Sequence, residues 1–384
     1  MPSTPLDPAE RVRVVVVGAG GIADGAHLPA LREHAADVEV VALVDVDAER
    51  ARAVADRWDV PDAGTDLDAA LARHRPHLVV ICTPPGAHAT AVDAALRAGA
   101  WVWCEKPPAL SLAEHDAMTA AEGPEGSGGP YASFVFQQRT GSAARALRRQ
   151  VHAGELGRPL VAVCNTLWYR DAVYYDVPWR GRWETEGGGP AMGHGIHQMD
   201  LLLWVLGDWA EVTAVTARLD RDVETEDVSA ALVRLESGAL VTIVNSVLSP
   251  RQESYLRFDF TDATVELSHL YGYRNDDWTW TPAPHVSDPG RIAAWHPATD
   301  EPSSHGAQLG EVLAALRQGV RPPGSGHDGR RTLELVAGIY ASAARRRPVR
   351  RDELVPGDPF HAAMHGGDPA ALLGDAAVAA GVAR

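Results

Sequence analysis

The sequence is poor in cysteine, phenylalanine and methionine, with 3, 5 and 5 respectively in 384 residues. Cys82, Cys104 and Cys164 cannot all pair, and none stands at a metal-site spacing from another. A disulfide framework is therefore excluded, and a reducing cytoplasm is the expected location. Basic charge is also scarce: Lys+Arg 35 against Asp+Glu 51 gives a net charge of −16. So acidic a surface excludes a nucleic-acid partner, because phosphate binding needs a basic face. No apolar run approaches the roughly 18 residues of a spanning helix, so no membrane partner is expected. The first residues show no cationic stretch followed by an apolar one and read as no secretory signal. With three prolines, residues 1–10 read as a disordered lead-in. Hydrophobic content of 46% and charged content of 22% are those of a globular protein. The length suggests about two or three domains. One residue type is in excess: 11 Trp against 5 Phe and 8 Tyr.

What is present begins with a run of valines. Val12 and Val14 to Val17 are β-branched and apolar on both parities, as in a strand buried on both faces. Strands at 38–44, 78–83 and 100–106 follow, separated by helices to about His34, at 47–57, 67–74 and 87–98. The segment 131–139 reads as the last strand of this half. Alternating strands and helices predict a doubly wound parallel sheet. After a helix at 142–153 the rhythm changes to alternating segments such as SAALVRLE and ALVTIVNSVL, with a hairpin signal at Ser237-Gly238. That predicts a second α/β domain with a large, mainly antiparallel open sheet, closed by helices at 306–318 and 331–345. The expected boundaries are 11–137 for the first domain, 138–360 for the second and 361–384 for a Gly/Ala-rich tail.

Gly18-Ala19-Gly20-Gly21-Ile22-Ala23 fits G-x-G-x-x-A between a buried strand and a helix, the setting a dinucleotide fingerprint requires. Gly18 permits a tight turn, Gly20 lets the backbone approach a pyrophosphate, and Ala23 allows close helix–strand packing. Asp45 ends the second strand, where a carboxylate hydrogen-bonds the adenine ribose. An acid there repels a 2′-phosphate, so NAD is expected rather than NADP. Glu105-Lys106-Pro107 closes a central strand at the sheet edge where ligands bind, and Lys106 is placed to exchange a proton as hydride moves.

With GAGGIA, CTPPGAH (82–88), EKP (105–107), GELGRP (154–159), GGGPAMGHGIHQMDLLLWVLG (187–207) and SGHDGRRTLELVAGIYASA (325–343) in order, the chain resembles the Gfo/Idh/MocA family of oxidoreductases. The resemblance runs from Val12 to about Val349. It implies an N-terminal Rossmann domain and a C-terminal domain whose open sheet serves oligomerisation, as a dimer or tetramer. It also implies reversible hydride transfer between NAD(P) and a carbon-bound hydroxyl or carbonyl, commonly of a sugar or cyclitol, with no metal. Carried over, Lys106 is the catalytic lysine, and His197 contacts the reacting hydroxyl. Gly18, Gly20, Gly21, Ile22, Asp45, Thr83, Pro84, His88 and Glu105 lie on the cofactor side. Arg139 matches an arginine after the last strand of the first domain. One position departs: many members carry an Asp four residues before His197, and this chain has Gly193 followed by His194. Either Lys106 and His197 act alone, or His194 relays the proton; a structural hydrogen bond from His194 is the equal alternative. The H-x-x-H-x-x-D spacing of His194, His197 and Asp200 would suit a metal on a helix face, a reading the resemblance does not favour.

Residues 168–183 crowd Trp168, Tyr174, Trp179 and Trp183 with Arg170 and Arg180, directly before the glycine loop. Aromatic faces pack on sugar C–H faces, and arginine forks bind hydroxyls or carboxylates. This predicts the substrate pocket lining. A second group, Tyr271, Tyr273, Trp278, Trp280 and Trp295, lines the same cleft or a subunit contact. The expected function is NAD-dependent hydride transfer to or from a sugar, sugar derivative or cyclitol. The alternatives are an NAD-retaining enzyme that cleaves glycosides through transient oxidation, and a non-catalytic nucleotide sensor.

Overall fold

A computed structural model describes residues 10–373; the proline-rich lead-in before residue 10 and the tail from 374 lie outside the described residues. The chain divides into two compact units. The first comprises residues up to 109, 114–135 and 305–330; the second comprises 110–113, 136–304 and the chain from 331.

The first unit is built on six parallel strands: β1 (Val12–Val17), β2 (Val38–Val44), β3 (Ala63–Gly64), β4 (Leu78–Ile81), β5 (Trp101–Cys104) and β6 (Ala132–Phe134). Their order is β3-β2-β1-β4-β5-β6. In this doubly wound order the strand sequence reverses between β1 and β4, and the crevice at that reversal takes the ligand. Every residue of β4 and β5 is buried, as the two-parity apolar runs require. The last strand is shorter than its sequence suggests. After Phe134, whose N–H donates to Gly324 O, the chain turns into a 3-10 segment at Gln137–Thr140.

The expected block 138–360 does not stay together. Helix His305–Gln318 returns to the first unit, and its Leu309, Val312, Leu313 and Leu316 enter the core with Leu28, Leu31 and Trp103. That apolar stripe would otherwise face water, and burying it is worth about 2 kcal/mol per large side chain.

The second unit carries eight strands: β7 (Pro159–Tyr169), β8 (Trp209–Ala217), β9 (Val228–Leu235), β10 (Leu240–Ser246), β11 (Leu248–Phe260), β12 (Ala263–His269), β13 (Trp278–Pro282) and β14 (Val349–Arg350). Their order is β13-β12-β11-β7-β10-β9-β8-β14, and only β10 with β7 is parallel. The hairpin of β9 and β10 closes at Gly238, at φ +86°. On β10, Val241 and Ile243 are buried while Leu240 and Thr242 face outward, the period of two of a sheet covered on one side. The described part of the tail is anchored: Leu372 is buried and its carbonyl accepts from Thr216.

Candidate active site

In the first unit, β1 ends at Gly18, at φ +94°. A Cβ there would lie 2.8 Å from the Cys82 carbonyl carbon and oxygen at the end of β4. Only glycine fits so close an approach in a left-handed conformation. Gly20 and Gly21 differ, since an added Cβ would meet nothing within 4 Å; their amides border open space. Thr83 Oγ1, just past β4, is buried with no hydrogen-bond partner. A bare turn, exposed amides and an unspent hydroxyl at the strand reversal fit a dinucleotide.

Asp45 holds this turn shut. Its carboxylate accepts from Ala19 N (2.6 Å), Asp47 N (2.9 Å) and Arg50 Nη2 (2.5 Å). Burial alone would raise its pKa, but the Arg50 bond and the two amides hold it below the usual carboxylate range. Arg50 was not singled out in the sequence, because it lies five residues past Asp45 and reaches back along a helix.

At the end of β5, Glu105 is buried. Its Oε1 accepts from His27 Nε2 (2.8 Å) and lies 3.4 Å from His305 Nε2, while Oε2 accepts from Lys106 N (3.2 Å). Burial opposes its ionisation, yet the two histidines hold its carboxyl well below the usual range. Burial also lowers the His27 pKa, so the pair is a carboxylate facing a neutral imidazole. His27 reaches this place through a π-turn at Ala23–His27, where Leu28 N donates to Ala23 O. Pro29 explains the wide turn: it lacks an N–H and its ring clashes with the carbonyl four residues back. The three ligand atoms lie within 4.8 Å of one another. A metal on His27 Nε2 would put a proton on the buried Nδ1, which has no partner. Metal-bound histidines normally donate that proton, so the cluster reads as hydrogen-bonded.

Two of the residues expected on the cofactor side spend their side chains within the protein. Glu105 spends its carboxylate on His27, His305 and the Lys106 amide. His88 is fully buried, with Nδ1 3.0 Å from Pro107 O and Nε2 3.0 Å from Thr83 O. It ties together the turns after β4 and β5 and presents neither nitrogen to a ligand. Lys106 is half-buried and precedes Pro107 through a cis peptide bond.

In the second unit, the glycine loop leads through helix Pro190–Gly193 to His194 and to helix Ile196–Leu206, whose second residue is His197. Glu226 clamps the loop, accepting from Gly189 N (2.9 Å), Ala191 N (3.2 Å) and Tyr340 OH (2.8 Å). Burial without a cation pushes its carboxyl up to about 7. His197 is buried, its ring edge-on to Tyr271 at 5.5 Å. His194 Nε2 accepts from Arg170 Nε at 3.2 Å, and Trp168 lies edge-on at 5.2 Å. That lone pair faces a guanidinium, which favours the structural alternative for His194 over a relay through Nε2. At Gly193 an added Cβ would meet nothing within 4 Å, so an aspartate would have room.

Asp200 is no metal ligand in this arrangement. It accepts from Arg139 Nε (2.7 Å) and Nη2 (2.5 Å) and from Thr332 Oγ1 (3.0 Å), all buried. Arg139 is thus fixed as a structural partner. Trp168, Arg170, Tyr174, Trp179 and Arg180 do assemble: Arg170 Cζ lies 4.9 and 5.0 Å from the Trp168 and Tyr174 rings, and Arg180 Cζ 3.8 and 5.2 Å from Tyr174 and Trp179. Trp183 is elsewhere, its N–H on Glu224 O and its ring against Tyr340 and His365, where it anchors the core. Trp278, Trp280 and Trp295 are also core residues, and Gln150 links the last two, accepting from Trp280 Nε1 and donating to Trp295 O. Sequence reasoning missed His27, His305 and Gln137, which donates to Tyr271 OH.

The chain is similar to known proteins. Residues 12–126 match the model of an oxidoreductase family with an NAD-binding Rossmann fold, and residues 144–266 match the GFO/IDH/MocA C-terminal domain. The chain is 29% identical to a D-apiose dehydrogenase of Paraburkholderia graminis, over 90% of this chain and 91% of that one. It is 30% identical to inositol 2-dehydrogenase 3 of Saccharopolyspora erythraea, over 60% of this chain and 65% of that one. Among solved structures, the WlbA dehydrogenase from Bordetella pertussis in complex with NADH and UDP-GlcNAcA aligns with a TM-score of 0.79 at 27% identity, covering 89% of this chain and 99% of that one.

Proposed function

Because the chain belongs to the Gfo/Idh/MocA family of NAD-binding oxidoreductases, we propose that it interconverts a carbon-bound hydroxyl and a carbonyl on a sugar, sugar derivative or cyclitol. One observation carries the reading. Gly18, Thr83 and Lys106 follow the carboxyl ends of β1, β4 and β5, three neighbouring strands at the reversal of the sheet. Bound NAD supplies the hydride acceptor. The open backbone at Gly20 and Gly21 and the neighbouring Ile22 hold its pyrophosphate, Asp45 the adenosine ribose, and Thr83 with Pro84 the nicotinamide side. Lys106 Nζ takes the hydroxyl proton as the substrate carbon is oxidised and returns it in reverse. His197 hydrogen-bonds the reacting oxygen and polarises it. Glu105 positions Lys106 through its amide.

A panel of sugars, sugar acids and cyclitols, read by NADH formation with NAD and NADP in parallel, tests the activity. Failure of every member to reduce NAD would sink it. Asp45→Ala should lower the preference for NAD by about tenfold, because Arg50, left with only its 3.6 Å pair to Asp47, can then turn to a 2′-phosphate. An unchanged cofactor ratio would remove Asp45 from this role.

The outward face of the eight-stranded sheet supports a homo-oligomer, a dimer or tetramer. Val161, Leu232, Leu240 and Val215 stand exposed on adjacent strands, with Leu232 and Val215 at 52% and 68%. An apolar sheet face of this kind is an association surface. Leu232→Asp should shift the mass seen by light scattering toward the monomer; an unchanged mass would exclude this face. Among the described residues no helix is long and apolar enough to cross a membrane. Three buried free thiols accord with a cytoplasmic enzyme.

A further inference from the structure

The charge bookkeeping around Tyr174 is unbalanced. Most arginines of this acidic chain meet a carboxylate: Arg139 pairs with Asp200, Arg257 with Asp259, Arg351 with Glu334. Arg170 and Arg180 do not. The Arg170 donors go to His194 Nε2, to Tyr169 O (3.0 Å) and, at 3.5 Å, to Gln252 Oε1. Arg180 Nη1 donates to Tyr174 O (2.9 Å), and its buried Nε has no acceptor.

Two acids of the same stretch accept from backbone amides. Asp171 accepts from Tyr174 N at 3.0 Å, and Glu186 accepts from Gly181 N. The rings of Trp168, Tyr174 and Trp179 hold the two guanidiniums by cation–π contact, which fixes their position without neutralising them. The Tyr174 hydroxyl lies 3.5 Å from His194 Nε2, so this cationic pair adjoins the histidine loop. Two part-exposed guanidiniums that form no salt bridge among the described residues leave donors for the anion of a ligand.

We infer that the substrate is an acidic one, a sugar-like polyol bearing a carboxylate or phosphate that Arg170 and Arg180 engage through their planar forks. This rests on the sugar-dehydrogenase reading above and narrows it. A guanidinium fork matches either anion with paired charge-assisted hydrogen bonds, while the aromatic rings cover the C–H faces of the polyol. The anion is not the group that reacts. Its binding energy therefore orients the substrate, and its loss raises KM before it lowers kcat.

The test uses the full chain with NAD and three matched ligands: D-glucose, D-glucuronate and D-glucose 6-phosphate. Binding is measured by calorimetry and turnover by NADH formation. The acidic members should bind about tenfold more tightly than glucose, and added salt should narrow the gap. The ratio should fall to about one in Arg180→Gln and in Arg170→Gln, with thermal unfolding reported for each variant. Glucuronate and glucose 6-phosphate distinguish the carboxylate from the phosphate. Equal binding of neutral and acidic ligands, no binding of either acid, or an acidic preference that survives both substitutions overturns the inference. Acid-selective binding without NADH formation leaves the anion site standing and sinks the dehydrogenase reading instead.

Discussion

Lys106→Ala should retain NAD binding and lose turnover by about 10²- to 10⁴-fold, the range over which a positioned general acid–base acts. The two effects separate because the cofactor contacts proposed here come from the backbone at Gly20 and Gly21, Asp45 and Thr83. The Lys106 amide donates to Glu105, and that bond survives the substitution. NADH binding by fluorescence and single-turnover kinetics measure the two separately. Turnover within tenfold of the parent would remove Lys106 from proton transfer. Glu105→Gln offers a contrast. It weakens the charge that His27 and His305 face but keeps an acceptor for the Lys106 amide, so its loss should be smaller.

The largest stability effect should come from Asp200. Asp200→Ala leaves the Arg139 guanidinium buried and without its two-pronged partner, and removes the acceptor of the Thr332 hydroxyl. Breaking a buried ion pair from one side costs about 3–5 kcal/mol. Removing both charges with Arg139→Met and Asp200→Leu should recover much of that loss, because neither charge is then stranded. Urea denaturation of the three variants measures this. If Asp200→Ala unfolds at the parent's midpoint, the pair is not holding the second unit together. The same comparison bears on the H-x-x-H-x-x-D spacing: a metal ligand would show a midpoint that moves with chelator, and a salt-bridged Asp200 would not.

The parallel half was legible because its strands are written in one-dimensional pattern. Valine runs on both parities, a glycine turn and a terminal acid each act within a few residues of one another. The antiparallel half was legible for the same reason, through alternation and the Ser237-Gly238 turn. What the sequence hid are partners at long separation. Glu105 looks like part of a cofactor motif until His27 and His305, 78 and 200 positions away, are found on its carboxylate. His88 looks like a ligand contact until two backbone carbonyls are found on its ring. The tryptophan surplus divides in the same way. Trp168 and Trp179 flank guanidiniums beside the histidine loop, whereas Trp183, Trp278, Trp280 and Trp295 fill core positions. Composition reports the residue type and not its neighbour. The π-turn was hidden for another reason: a helical pattern running to about His34 does not show the effect of Pro29 on the preceding turn, which is what aims His27.

The return of 305–330 to the first unit has a consequence for biosynthesis. Domains generally fold in the order they are made. Here the dinucleotide unit is first to leave the ribosome and among the last to be finished. When residue 135 has been made, Leu28, Leu31 and Trp103 still lack Leu309, Val312 and Leu316. At about 5–20 residues per second, the intervening 136–304 take on the order of ten seconds or more to synthesise. Throughout that interval the nascent unit leaves an apolar groove uncovered. It is a natural holding point for a chaperone, and a reason why truncation before residue 305 would yield an aggregating fragment instead of a free-standing nucleotide-binding module.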